Sequence, residues 1–208
     1  MTNLRNFAKK EMRKIFWLGV LIPVLGWAQF DRNAVLQFQR ELNASFADSV
    51  KSPLTTPDRL QFHTLDFFAP DPDYCVIAQF RRTKKEKPFG MKTTTGRLPT
   101  YVKYGELHFM LKGRPFKLNV YQNVGNAKKA GYENHLFLPF SDLTSGNQTY
   151  IGGRYIDLTI STTDSVVIDF NQAYNPYCAY NYKYSCPIVP LENDLDIEIL
   201  AGVKKFHD

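Results

Sequence analysis

Residues 106–121 read Glu-Leu-His-Phe-Met-Leu-Lys-Gly-Arg-Pro-Phe-Lys-Leu-Asn-Val-Tyr, and their alternation decides the fold class. Leu107, Phe109 and Leu111 alternate with Glu106, His108 and Met110; Phe116, Leu118 and Val120 then alternate with Lys117, Asn119 and Tyr121. Successive side chains of a strand point to opposite faces, so each half is a strand with one apolar face. Lys112-Gly113-Arg114-Pro115 links them as a hairpin.

The same period extends both ways. Val76, Ala78 and Phe80 alternate with Ile77, Gln79 and Arg81, and strands are also expected over 135–140, 155–161, 166–170 and 195–201. Thr162-Thr163-Asp164-Ser165 supplies a turn between two of them. Strands in succession without intervening helices predict a mainly β domain at the margin of α+β, an antiparallel sheet curled into a sandwich or barrel. One helix precedes it. Val35, Phe38, Leu42, Phe46 and Val50 recur at three- and four-residue spacing, which predicts a helix over 31–50 with Asp31 or Asn33 as its cap. Thr56-Pro57 starts a short helical turn over 58–62.

Residues 1–28 read as a segment outside the fold. Lys9, Lys10, Arg13 and Lys14 precede a short apolar run that ends in Gly26-Trp27-Ala28, the order of a secretory signal cut before Gln29. An uncleaved anchor is the alternative, but the run falls short of the roughly 20 residues that span a bilayer, and Pro23 and Gly26 interrupt it. The expectation is export to the periplasm or beyond, a single domain over 29–208, and no stable membrane span after cleavage. Five of the chain's 26 basic residues and one of its 20 acidic residues lie in that segment, which leaves a net charge of about +2 and no signal for nucleic acid. The basic run over 81–87 ends in Pro88 and reads as a solvated hairpin tip; residues 123–134 read as a surface loop.

Familiar catalytic signatures are missing. The histidines are His63, His108, His135 and His207, and no two are spaced as ligands of one metal ion. His108 and His135 stand out because each lies in a predicted main-sheet strand. No nucleophile elbow, phosphate loop or dinucleotide fingerprint occurs, and Gly152-Gly153 lies where a bulge or close backbone approach is expected.

The concentration of chemistry lies in 169–193, DFNQAYNPYCAYNYKYSCPIVPLEN, with four asparagines, five tyrosines and two of the three cysteines. Cys178 and Cys186 suit a disulfide in an oxidising compartment, or Cys178 acts as a thiolate nucleophile, which needs a neighbouring base or cation that the sequence does not place beside it. Asp142, Arg154, Asp157, Asn171, Asn175 and Tyr177 would line a polar and aromatic small-molecule pocket, with Asp169, Glu192 or His108 as acid or base. Carboxylates with amide oxygens also suit a hard cation, although no metal motif is present and no cofactor is indicated. Against that stands the ordinary use of Asn and Asp in closing turns. A noncatalytic secreted module, its motif a structural staple, is therefore the alternative function.

The segments YGELHF (104–109), LFLPFSDLTSG (136–146), TYIGGRYID (149–157), DFNQAYNPYCAY (169–180), SCP (185–187) and PLEN (190–193) resemble the prokaryotic family DUF1684. The resemblance runs from about Asp31 to the C-terminus and implies no activity, because the family carries none by name. Val203 stands where the family usually has a glutamate.

Overall fold

The computed structural model describes residues 30–207, so the expected signal segment lies outside the described residues. Helix α1 spans Arg32–Ala47; the Asp31 carboxylate caps it by accepting from the backbone N–H groups of Asn33 and Ala34. Val35 and Phe46 are buried along its apolar stripe. The helix ends three residues before Val50, which is 90 % exposed. Asp48 is the cause: its carboxylate accepts from the amides of Val50 and Lys51 and turns the chain out of the helix. Helix α2, Thr56–Gln61, is capped by Thr55, whose hydroxyl also donates to Asp58.

Eight strands follow: β1 Cys75–Arg82, β2 Phe89–Gly90, β3 Thr100–Leu111, β4 Arg114–Asn123, β5 His135–Asp142, β6 Arg154–Thr159, β7 Ser165–Asp169 and β8 Asp194–Leu195. The main path runs β6-β5-β4-β3-β1-β7 and is antiparallel throughout. It curls into a half-barrel. The β3–β4 hairpin is tighter than the sequence suggests: Leu111 pairs with Arg114, so only Lys112 and Gly113 form the turn, both with positive φ. Two left-handed residues match the right-handed twist of the flanking strands. The basic run over 81–87 is largely exposed but is not a hairpin tip: Arg81 and Arg82 belong to β1, and β1 and β2 each pair with β3, not with one another.

Curvature enters at two places. A bulge between Lys103 and Gly105 bends β3, and the Phe80 ring lies against Gly105 where any Cβ would stand. At the second place, β4 and β5 share only the pair Tyr121–Phe137. Pro139 in β5 has no N–H to give, and the Asn193 side chain fills the gap. Its amide nitrogen donates to the carbonyls of Asn119 and Pro139 at 2.8 and 2.6 Å, and its oxygen accepts from the Asn119 N–H at 2.8 Å.

One face of the sheet carries the main core: Leu107, Phe109, Leu111, Leu118, Leu138 and Phe140 pack with Ile168 and Phe170 under the segment from Leu195 to Ala201. That segment alternates as expected, with Leu195, Ile197, Ile199 and Ala201 buried. It is not the closing antiparallel strand that its pattern predicts. Only β8 forms a ladder, and it runs parallel to Ser141 and Asp142. Side chains take the place of a neighbouring strand. Arg154 donates to the carbonyls of Ile199 and Ala201, and the Asp142 carboxylate accepts from the Ile199 N–H.

The opposite face holds an aromatic cluster of Met91, Tyr101, Tyr121, Phe137 and Tyr155. A third cluster joins α1 to the chain end through Phe46, Leu54, Leu65, Tyr180 and Val203. The position expected to carry a glutamate is thus a fully buried core contact, where a carboxylate would cost free energy.

Candidate functional site

Strand register builds the site. Phe137 pairs with Asp157 and His135 with Thr159, so His135 and Asp157 are diagonal neighbours on the aromatic face. The His135 Nε2 and Asp157 Oδ1 atoms are 2.8 Å apart, and the Tyr174 hydroxyl donates to Asp157 Oδ2 at 2.8 Å. Tyr174 is placed there by a backbone bridge to Tyr155, with both N–H to carbonyl bonds made. The Tyr155 hydroxyl in turn donates to the Pro187 carbonyl and anchors the 174–187 segment over the sheet.

Between that segment, the sheet and α1 lies a cavity of about 450 Å³. Its walls include Phe38 and Leu42 of α1, Tyr101, Phe137, Tyr155, Tyr174, Pro176, Tyr177 and Tyr184, with His135 and Asp157 as the polar end. The rings meet at steep angles: Phe137 and Tyr155 at 73° and 4.7 Å, Tyr155 and Tyr174 at 90° and 6.0 Å, Tyr177 and Tyr184 at 59° and 5.2 Å. Burial, reinforced by the Asp157 charge, holds the Tyr174 phenol well above its usual pKa, and burial likewise raises Tyr155 and Tyr177. These hydroxyls stay protonated, and those of Tyr155 and Tyr174 act as donors.

Of the residues singled out in the sequence, His135, Asp157, Tyr177 and Cys186 reach this cavity. The others do not converge on it. Arg154 and Asp142 form a fully buried ion pair at 2.8 Å, and Asp142 also accepts from the backbone and hydroxyl of Thr144. Asn171 clamps the backbone of Asp71 through both ends of its amide, Asp169 caps the turn that follows β7, and Asn175 donates to the Lys204 carbonyl. Glu192 is exposed on a 3₁₀ turn over Leu191–Asn193. His108 belongs to a surface charge cluster around Glu106, whose carboxyl Lys103 holds down to about 2, with His108 and Lys117 adding to the effect.

The expected disulfide is absent: Cys75, Cys178 and Cys186 are free thiols. Cys186 instead accepts the backbone N–H of Cys178 at 3.1 Å, a contact that satisfies the tight turn without a bond between the sulfurs. Hydrogen bonding from Cys186 draws the Cys178 thiol down to about 6, and the shared proton pushes Cys186 up. Cys186 lines the aromatic cavity; Cys178 lines a separate cleft of about 270 Å³ with Tyr150 and Tyr182. Among the described residues no group of three His, Cys, Asp or Glu side chains is arranged to hold a metal ion. Nor is any described helix long and apolar enough to cross a membrane.

His135 is the site residue whose partner the sequence reading missed. It was visible as a strand histidine, but its pairing with Asp157 follows only from the β5–β6 register. Tyr101, Tyr174 and Tyr184 were hidden for the same reason, being brought together by contacts between distant segments.

The chain is similar to the uncharacterized protein from gene locus rrnAC0354 of Haloarcula marismortui, whose solution NMR structure shares 32% sequence identity and a TM-score of 0.65 over 83% of this chain and 92% of that one. No curated protein matches it. The family described as "Protein of unknown function (DUF1684)" matches residues 60–204, which cover all eight strands and both walls of the cavity contributed by the sheet and the 174–187 segment, and the chain belongs to that family.

Proposed function

We propose that this protein is exported and holds a small organic molecule in the aromatic cavity, with His135 as the group that exchanges a proton or hydrogen bond with it. The observation that carries the reading is the His135–Asp157–Tyr174 chain of hydrogen bonds on the wall of a cavity of about 450 Å³. Ligand sites are typically apolar hollows of this size with a few placed polar groups. Asp157 fixes the orientation of the imidazole, which is what a general base requires. Whether the bound molecule is also transformed is read from turnover, and His135→Asn separates that from binding.

A fragment library screened by NMR tests the reading. Shift changes are expected to gather on 135–137, 155–157 and 174–187, and Tyr177→Ala should weaken the best hits by at least about tenfold, as loss of one aromatic wall would. Hits scattered elsewhere, or insensitive to Tyr177, would favour the noncatalytic module instead.

Export rests on the order of basic residues, apolar run and small residues over 1–28. Intact mass of the protein recovered from outside the inner membrane is expected to correspond to a chain beginning at Gln29. A mass that retains the first 28 residues would count against it.

A further inference from the structure

We propose that the cavity takes an organic cation, a small quaternary ammonium or protonated amine whose head lies among the tyrosine rings against Asp157. The inference rests on the cavity being a ligand site, as argued above, and names the ligand's class.

Charge is the first observation. Asp157 is the one carboxylate among the lining residues, and none of them is a lysine or an arginine. An anionic ligand would meet a fixed negative charge, with no lysine or arginine among the lining residues and the one lining histidine, His135, already paired with that carboxylate. The Asp157 side chain is 51% exposed, and each of its oxygens accepts one bond from the protein, which leaves acceptor capacity facing the cavity.

Ring geometry is the second. Aromatic faces carry negative potential, and rings that meet at steep angles present several faces to one enclosed point. Phe137, Tyr155 and Tyr174 form such a corner, with Tyr155 in contact with both neighbours, and Tyr177 with Tyr184 supplies further walls. Because the phenols are held protonated, the rings contribute faces and donors, with no added formal charge. Burial is the main cause that raises Tyr101, Tyr174 and Tyr177, and the Asp157 charge adds to it at each, most at Tyr174, to whose hydroxyl it is hydrogen-bonded.

Two of the protein's own cations are held by neutral groups of the same wall. Arg97 donates to the Ser185 hydroxyl and carbonyl, and Lys183 lies 5.0 Å from the centre of the Tyr184 ring. The second contact is the proposed interaction in miniature, made on one tyrosine of the same wall.

Calorimetry at low ionic strength tests the proposal with choline and its neutral isostere 3,3-dimethylbutan-1-ol. Choline is expected to bind at least about tenfold more tightly than the isostere, and Asp157→Asn should remove about that factor while Asp157→Glu restores part of it. Melting curves establish that both variants are folded. Equal affinity for the two probes would overturn the cationic class while leaving the cavity as a small-molecule site. Failure of both probes, with fragment hits still gathered on the cavity residues, would also overturn it and point to a neutral ligand. If fragments fail as well, the ligand-site reading falls with it.

Discussion

Arg154→Met is expected to destabilise the fold by about 3–5 kcal/mol, the cost of breaking a buried ion pair from one side. Arg154 is fully buried, as is its partner Asp142. Burial draws the guanidinium below its usual pKa and Asp142 acts against that shift, so each charge is tolerable only because the other is present. Methionine would strand the Asp142 carboxylate and leave the carbonyls of Ile199 and Ala201 without their donors. With total stabilities of roughly 5–15 kcal/mol for single domains, the variant would be marginal, and Arg154→Lys keeps the experiment readable by preserving charge while losing the fork. Urea titrations should place the lysine variant between the wild type and methionine. The double variant Asp142→Asn with Arg154→Met should cost less than the sum of its single changes, because each single change strands a buried charge and the pair of changes leaves none. Strict additivity, or a loss below about 1 kcal/mol for Arg154→Met, would show that the pair is not the clamp described.

Gly202→Ala is expected to cost about 2–5 kcal/mol, combining left-handed backbone strain with overpacking. Gly202 has a φ of +79°, and an added Cβ would stand 2.7 Å from the Ala173 carbonyl oxygen and 2.8 Å from that of Phe170. Neither oxygen can retreat freely. The Ala173 carbonyl accepts from Val203 N–H at 2.9 Å, the Phe170 carbonyl accepts from Ala173 N–H at 3.0 Å, and the Gly202 carbonyl itself accepts from Phe68 N–H at 3.0 Å. Gly113 in the β3–β4 turn is the control, with a φ of +75° and nothing within 4 Å of its would-be Cβ. Gly113→Ala should therefore show the conformational part alone, about 1–2 kcal/mol. Equal losses in the two variants, measured by thermal or urea unfolding, would mean that the close approach at Gly202 is relieved by a small shift and carries no cost of its own.

The hairpin over 106–121 was legible because alternation and a Lys-Gly turn are local signals, and the stripe of α1 was legible for the same reason. Where reading failed, side chains had replaced what a pattern implies. The 195–201 segment alternates like a strand because alternate residues face the core, but beyond Ile197 Arg154 and Asp142 supply hydrogen bonds in place of a neighbouring strand. The Asn- and Asp-rich motif drew attention as a pocket, and most of its polar groups turn out to clamp backbone: Asn171 on Asp71, Asn175 on Lys204, Asn193 across β4 and β5. Composition reports that polar groups are needed, not whether a ligand or the chain itself will satisfy them. The pairing of His135 with Asp157 depends on a register set across the 143–153 connection, which no local window contains.

The joint between β4 and β5 has a consequence for motion. Phe137, half of the single strand pair there, is also a wall of the aromatic cavity, while Asn193 closes the rest of the joint from outside both strands. A sheet opens first where the fewest backbone bonds must break together. Opening of this joint would displace Phe137 and with it one wall of the cavity, so the Asn193 amide bonds that hold the joint shut also hold that wall in place.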